Sequence, residues 1–382
     1  MKQLSLNFLL LMTFYGLAQE GVHNMGMMRI YAEEGLGLHT NLVNNGIFDG
    51  NLGLIGFYSD GALSISGNFV PYLYDLEVLA PNNLHLEVSV SVENNHNFIL
   101  GNITTPRNNS FTSLSYQSNA FYVGAGNISK VDGYVNMHGQ QNFIFPVGDT
   151  EQLRPLVLHS LDINQVALCA YYFEDPNRAT LGPEPFNTNA KAPSIANIST
   201  REFWHFQGTE PTTVQISWNP RSMMNLLTND ANKIVLVGWH RSTHQWENLG
   251  GGPTGDLAQG FVVSDVFDPN DYEVITFGTS NDPEFIVDLP NYLLTPNGDG
   301  INDVLEIPEL ELFPNNHMRI FDRYGLLVFE HTHYTNEFNG YATEGDVVIS
   351  RNRGLPSGVY FYVVTLDDHG YEYQGFFYLD ND

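Results

Sequence analysis

The chain has 382 residues, with 15 Lys and Arg against 43 Asp and Glu, so its formal net charge is −28. This balance argues against nucleic-acid binding, which needs basic side chains to displace counterions from phosphates, and against docking on an anionic membrane surface. Hydrophobic residues make up 42% of the chain, a fraction too high for a disordered polyelectrolyte. Few Lys and many Gly, Tyr and Phe residues favour strands and turns, and the length suggests two or three domains.

The first 18 residues have the pattern of a signal peptide. Lys2 supplies the positive charge, residues 6–14 are mostly apolar, and Gly16-Leu17-Ala18 is a small-x-small cleavage signal. No later segment reaches about 18 consecutive apolar residues, the minimum for a membrane-spanning helix. We therefore expect an exported mature chain without an integral membrane segment.

Residues 19–125 are rich in short strands separated by Asn and Gly turns. Apolar and polar residues alternate over 84–92, which predicts one half-buried strand there, and shorter strands are expected at 52–57 and 62–65. Asn44-Asn45-Gly46 and Ser59-Asp60-Gly61 lie 15 residues apart and form a loose repeat. Asn-rich corners with stacked Asn ladders are typical of a β-solenoid, so this region is predicted to be either a β-solenoid or an antiparallel sandwich.

Residues 126–280 are predicted to form a β-sandwich-like region. Strands separated by turns are the basis for this interpretation, and a long Pro-rich loop is expected at residues 176–200. The predicted strands are 166–173, 213–218, 233–239, 260–263 and 272–277. Cys169 is the only cysteine, so no disulfide forms within the chain, and its apolar strand predicts a small buried side chain rather than a catalytic thiol.

The last hundred residues contain five motifs in a fixed order. Leu294 to Asp303 reads LTPNGDGIND, and it is followed by the segments 320–325, 327–329, 338–340 and 355–362. A predicted hairpin, with a strand to Leu366 and another from Tyr371 to Tyr378, ends the chain. Together these residues resemble the gliding-motility-associated (type B) C-terminal sorting domain of cargo proteins of the Bacteroidetes type IX secretion system.

The resemblance covers about residues 285–382 and implies an Ig-like β-sandwich that acts as an export address, read by the outer-membrane translocon. Phe338 stands where the family usually has Trp, and the chain ends in acidic residues where many members have a basic one. The residues that carry the sorting motif are Thr295, Pro296, Asn297, Gly298, Asp299, Gly300, Asn302, Asp303, Phe321, Arg323, Tyr324, Gly325, Gly340, Gly358 and Tyr360.

The middle of the chain also resembles large surface proteins of the same bacteria. The similar segments are 145–149, 154–156, 202–204 and 244–250. These similarities imply no known activity.

The acidic turn of the sorting motif has two interpretations. Asn297, Asp299, Asn302 and Asp303 place four oxygen-bearing side chains within seven residues, as a calcium loop does. Calcium is the only cofactor that the sequence suggests. The other interpretation is a tight turn that the Asx side chains and the glycines close by themselves.

No catalytic motif is present in the sequence: HExxH, GxSxG, a Walker A loop and a Rossmann glycine fingerprint are all missing. His240 and His244 are expected to straddle a turn, and His331 and His333 to be exposed on one strand face. Nothing nominates a pair of carboxylates for glycoside hydrolysis. We therefore predict that the protein is not an enzyme.

Four Trp residues fall in residues 126–280. Trp218 and Trp239 lie in apolar strands and are expected in the core. Trp204 and Trp246 lie beside polar residues, which leaves open core packing or an exposed sugar-stacking site.

Two functional hypotheses follow. The first is a non-enzymatic, adhesin-like protein at the cell surface or in the medium, delivered by the type IX secretion translocon. The alternative is a secreted polysaccharide-binding or polysaccharide-degrading protein. The expected partners are the translocon and surface glycans or other extracellular ligands.

Overall fold

The computed structural model describes residues 21–281, 293–308, 310, 313–343, 354–366 and 371–381. The predicted signal peptide, residues 1–18, lies outside the described residues. The chain divides into two compact units. The first contains residues 21–190 and 198–278, and the second contains residues 191–197 and the described residues from 279 onward.

Short strands dominate residues 21–148. In chain order they are β1 (Gly21–Asn24), β2 (Met27–Met28), β3 (Gly35–Leu38), β4 (Asn41–Asn44), β5 (Ile47–Phe48), β6 (Leu54–Tyr58), β7 (Leu63–Gly67), β8 (Tyr72–Leu79), β9 (Leu84–Leu86), β10 (Val90–Leu100), β11 (Ile103–Thr104), β12 (Leu114–Tyr116), β13 (Phe121–Val123), β14 (Val131–Asp132), β15 (Val135–Phe145) and β16 (Val147–Gly148).

These strands form a β-solenoid, in agreement with the prediction, and the alternative of an antiparallel sandwich for this region is wrong. Strands β1, β4, β7, β9, β11, β14 and β16 make one parallel sheet, and β3, β6, β8, β10, β12 and β15 run parallel in a second. Gly21 pairs with Asn41, and Leu54 pairs with Asp75, so each coil takes about 20 residues. Parallel pairing continues as far as Gly148, beyond residue 125.

The single strand predicted over residues 84–92 is wrong, although its alternation is real. Leu84 and Leu86 belong to β9 in the first sheet, whereas Val90 and Val92 belong to β10 in the second. The chain turns a corner between them. All four side chains are buried in one hydrophobic core because both sheets line the same interior, and the alternation therefore continues through the corner.

Asn ladders join successive coils, as predicted, but at a spacing other than the 15 residues of the sequence repeat. The side-chain amide of Asn24 donates to Oδ1 of Asn44 at 2.7 Å, and that of Asn68 donates to Oδ1 of Asn45 at 2.9 Å. These pairs are 20 and 23 residues apart. Ser59-Asp60-Gly61 follows β6 in the other sheet, so it forms a different corner of the coil.

A buried histidine lies inside the solenoid. His96 is fully buried, its Nδ1 lies 2.7 Å from the Tyr116 hydroxyl, and its ring centroid lies 3.8 Å from that of Phe98. Burial disfavours the charged imidazolium and lowers the pKa of His96 to about 3.

Acid should therefore destabilise the solenoid. Between pH 6.5 and about pH 3 the unfolded chain binds a proton at His96 that the folded chain does not. The free energy of unfolding therefore decreases as the pH is lowered through this window. His96 alone is expected to contribute about 1.4 kcal/mol per pH unit to the slope. Urea unfolding at a series of pH values measures it. His96→Phe should remove this contribution, and His23→Gln, at an exposed position, should leave it; an unchanged slope in His96→Phe would contradict the assignment.

Residues 156–280 add longer strands and five 3₁₀ turns. The strands are β17 (Leu156–Tyr172), β18 (Ile195–Ile198), β19 (Phe203–Gly208), β20 (Thr212–Trp218), β21 (Ile234–His240), β22 (Gln245–Asn248), β23 (Gly252–Gly255), β24 (Gly260–Val263) and β25 (Tyr272–Ser280). The 3₁₀ turns are Pro176–Arg178, Pro220–Ser222, Met224–Leu226, Ala231–Lys233 and Pro269–Asp271. The predicted strands are confirmed, and the long loop expected at 176–200 contains one 3₁₀ turn and β18.

Strand β17 connects the solenoid to the strands that follow. One edge of β17 pairs antiparallel with β15, the last long strand of the solenoid. Its other edge is shared: Leu156–Ser160 pair with β20 and Ala167–Tyr172 pair with β19. Two branches therefore leave β17. One continues from β20 to β24 and β23, and the other continues from β19 to β25, β21 and β22. Cys169 is buried in β17, as predicted.

The described residues from 293 onward contain one sheet. Its strands are β26 (Leu293–Leu294), β27 (Asn316–Phe321), β28 (Leu327–Thr332), β29 (Gly358–Leu366) and β30 (Tyr371–Leu379). Their order is β26-β30-β29-β27-β28, and β26 and β30 run parallel while the other neighbours run antiparallel. The terminal hairpin predicted from the sequence is confirmed as β29 and β30.

Candidate functional site

The acidic turn after β26 is closed by its own hydrogen bonds. The two carboxylate oxygens of Asp303 accept from the backbone N–H groups of Gly298 and Gly300, both at 2.7 Å. These bonds lower the pKa of Asp303 because they favour its charged form. Oδ1 of Asn297 accepts from the N–H of Asp299 at 2.9 Å, and Asn302 adopts φ +55°. The geometry is that of an Asx turn with glycines at positive φ.

Calcium binding by Asn297, Asp299, Asn302 and Asp303 stays a prediction. Each carboxylate oxygen of Asp303 accepts one backbone hydrogen bond, which leaves each of them a further lone pair for a calcium ion. Calorimetric titration of the full mature chain tests it. The calcium interpretation expects a saturable heat that Asp303→Asn abolishes, and no heat up to about 1 mM calcium would remove it.

A second motif turn joins β27 to β28. Oδ1 of Asp322 accepts from the N–H groups of Tyr324 and Leu326 at 2.8 and 2.9 Å, and Gly325 adopts φ +81°. The guanidinium carbon of Arg323 lies 4.9 Å from the ring centroid of Tyr324, whose side chain is 79% exposed. Phe321 pairs with Leu327 at a β-bulge. The turn thus presents an arginine and a tyrosine to solvent.

Two motif segments that are far apart in sequence meet at Gly340. This glycine has φ +82°, and a Cβ atom there would lie 2.9 Å from Cγ of Pro296 and 3.3 Å from Leu379. Both the backbone conformation and the close contact require glycine. Next to it, the buried ring of Phe338 packs at 5.0 Å from Phe329.

The remaining motif residues begin β29. Gly358 pairs with Leu379, and the ring of Tyr360 stacks on Phe377 at 5.9 Å. The Tyr360 hydroxyl donates to the carbonyl of Pro356 at 2.8 Å, and burial raises its pKa. These residues fix the start of the terminal hairpin.

Two structural residues of this unit carry no motif in the sequence. Oδ1 of the buried Asn316 accepts from the N–H of Tyr334 at 2.7 Å, and the Tyr334 hydroxyl donates to the carbonyl of Leu305 at 2.5 Å. An isolated Asn and an isolated Tyr give no signal by which sequence analysis could find this contact.

Comparison with known families identifies the second unit. The family model of the CHU_C Type IX secretion signal domain matches residues 287–379. The chain is a type IX secretion cargo with a C-terminal sorting domain. Comparisons with curated proteins and with solved structures found no match.

The sorting domain implies export through the type IX machinery toward the cell surface or the extracellular space. Its match contains every motif residue named in the sequence. In the described part of the chain, no helix has the length and apolar character needed to cross a membrane.

The four Trp residues of residues 126–280 do not form an exposed surface on which a sugar could stack. Trp204 and Trp246 are fully buried, and Trp218 and Trp239 are buried as expected. The interpretation of Trp204 and Trp246 as exposed sugar-stacking residues is therefore wrong. Successive side chains of a strand lie on opposite faces, so a polar neighbour in sequence does not place the Trp itself at the surface. His240 and His244 lie at the two ends of the turn between β21 and β22, as predicted.

The segments 154–156 and 202–204, which resemble surface proteins, are joined by a buried ion pair between Arg154 and Glu202. Nη2 of Arg154 lies 2.7 and 2.8 Å from the two carboxylate oxygens of Glu202, and the two side chains are 3% and 1% exposed. The Tyr171 hydroxyl donates to the same carboxylate at 2.7 Å, and the indole N–H of Trp204 donates to the carbonyl of Arg154 at 2.9 Å. Burial, reinforced by Glu202, raises the pKa of Tyr171.

Asp149, from the neighbouring segment 145–149, forms an ion pair with Arg221. Burial alone would raise the pKa of Asp149, but hydrogen bonds from Arg221 and from the backbone of Gln152 and Glu151 lower it overall. The guanidinium of Arg221 lies 3.6 Å from the ring centroid of Phe173. These contacts join the end of the solenoid to the strands that follow it.

Proposed function

We propose that the cargo is a non-enzymatic, adhesin-like protein that acts at the cell surface or in the medium after type IX export. The observation that carries this proposal is the β-solenoid, whose stacked coils give long and regular outer faces. Repetitive folds of this kind offer extended binding surfaces to large partners. The high negative charge keeps such a scaffold from associating with itself.

The polar clusters of the cargo region support a scaffold role. Glu202 and Arg154 neutralise each other in the interior, and His96 and His205 are buried with pKa values lowered to about 3 and about 4. Burial lowers both values, with a further contribution from Arg241 at His205. All four side chains are buried, and a buried group that packs in the core fits a structural role better than a catalytic one.

We also infer that the two branches leaving β17 form a β-sandwich and that the sorting domain is an Ig-like β-sandwich. The division of β17 between β19 and β20 supports the first inference, and the antiparallel order of β27 to β30 supports the second. An experimental structure of the full chain tests both.

Attachment assays test the adhesin proposal. A strain that lacks the gene should attach to surfaces and to other cells less than the same strain complemented with the full chain. Antibody labelling must first show that the tagged protein of the complemented strain is displayed on the cell surface. Equal attachment of the two strains would contradict the proposal, and release of reducing ends from polysaccharides by the purified protein would contradict its non-enzymatic part.

A further inference from the structure

An open pocket of about 450 Å³ lies at the surface where β13, β15 and β17 come together. This volume falls in the range of about 300–1,000 Å³ that is usual for small-ligand sites. The side chains that matter for its chemistry are Phe121, Asn142, Ile144, Val157 and His159. No sequence motif identifies these residues.

Two exposed polar residues that line the pocket form a pair. Asn142 and His159 are register partners on β15 and β17, and Nδ1 of His159 lies 3.0 Å from Oδ1 of Asn142. Because an amide oxygen only accepts, Nδ1 donates this hydrogen bond, and the neutral imidazole then has Nε2 as an acceptor. The Asn142 amide nitrogen is a donor, and among the described residues neither it nor Nε2 has a hydrogen-bond partner. The pair thus offers one donor and one acceptor.

The other exposed side chains that line the pocket are apolar. The ring of Phe121 is 52% exposed and the side chain of Ile144 is 48% exposed. Val157 is the register partner of Ile144 and lines the same pocket. An exposed aromatic ring beside a polar pair suits a ligand that has one apolar face and hydroxyl groups at its edge.

Charge narrows the class of ligand. None of the residues that line the pocket is Lys, Arg, Asp or Glu, so the pocket supplies no ion-pair partner. The chain as a whole carries a formal charge of −28, which repels anionic ligands. A neutral ligand is therefore favoured over a uronate or a sulfated sugar.

We propose that this pocket binds a neutral pyranose unit of an extracellular glycan. The C–H face of the sugar lies on Phe121, and adjacent hydroxyl groups bond to the Asn142 amide and to Nε2 of His159. This inference rests on the adhesin proposal, since it names the ligand class of the same exported scaffold.

Binding of the full mature chain to an array of neutral and acidic glycans tests the pocket, with the strongest neutral glycan then titrated by calorimetry. Phe121→Ala and His159→Ala should each weaken binding by about tenfold or more. Phe69→Ala is the matched control, because Phe69 is also on the solenoid and is 54% exposed but does not line the pocket. It should leave the affinity unchanged.

Three results would overturn the pocket inference: no neutral glycan bound, a preference for acidic glycans, or equal affinity of Phe121→Ala and wild type. These results leave the attachment assays unaffected, so they do not decide the adhesin proposal. Conversely, a strain that attaches normally without the gene would contradict the adhesin proposal even if the purified protein binds a neutral glycan.

Discussion

Deletion of residues 285–382 is expected to leave the cargo in the periplasm, with none detected on the cell surface or in the medium. The deleted segment contains the whole family match, residues 287–379, and the strands β26 to β30. The first unit keeps its own hydrophobic core, so the truncated protein should remain folded. Cell fractionation and antibody labelling of intact cells measure the change.

Point variants test whether export needs the correct packing of the sorting domain and not only its presence in the chain. Gly340→Ala adds a Cβ at φ +82° and 2.9 Å from Pro296, so it should distort the contact between two motif segments and reduce export. Gly126→Ala is the matched control, because Gly126 lies outside the sorting motif, its φ is not positive and its Cβ would meet no atom within 4 Å. Export of Gly126→Ala should equal that of the wild type.

Surface display of the truncated protein at the wild-type level would refute the role of the sorting domain in this chain. Normal export of Gly340→Ala would instead show that recognition tolerates a distorted Pro296 contact. Both variants need a quantified total protein level, since degradation in the periplasm also lowers the surface signal.

From sequence the solenoid was one of two predicted arrangements, because its corners are local whereas the pairing of its strands is not. Asn and Gly adopt the backbone conformations that corners need, and these residues mark the corners whatever the coil length. The coil length itself was not predictable, because Asn44 and Asp60 look alike in sequence but occupy corners of different sheets. The period of about 20 residues appears in contacts between coils, such as the strand pairing of Gly21 with Asn41 and the hydrogen bond of Asn24 with Asn44.

The sorting motif shows the same division between local and distant contacts. The turns at 297–303 and 322–325 close through hydrogen bonds within seven residues, so their composition predicts them. The contact of Pro296 with Gly340 depends on how distant strands pack, which no local pattern encodes. The sequence leaves Trp204 open between the core and the surface for a related reason, since Glu202, two residues before it, is polar but buried against Arg154.

Loss of the Glu202 charge is expected to destabilise the first unit by about 3–5 kcal/mol, because Glu202→Gln leaves Arg154 charged and unpaired in the interior. The Tyr171 hydroxyl would also lose its charged acceptor. The measurement is urea unfolding followed by tryptophan fluorescence. All four Trp residues of the chain lie in the first unit, so the signal reports that unit alone.

A matched control and a double variant decide why stability is lost. Glu151→Gln makes the same change in charge at a side chain that is 71% exposed, and it should alter the free energy of unfolding by less than about 0.5 kcal/mol. The double variant Arg154→Met with Glu202→Leu removes both charges, so it should be more stable than Glu202→Gln. If the double variant is as unstable as the single one, the loss comes from packing around Trp204 and Tyr171. If Glu202→Gln unfolds like the wild type, the ion pair does not stabilise the junction between the solenoid and the strands that follow it.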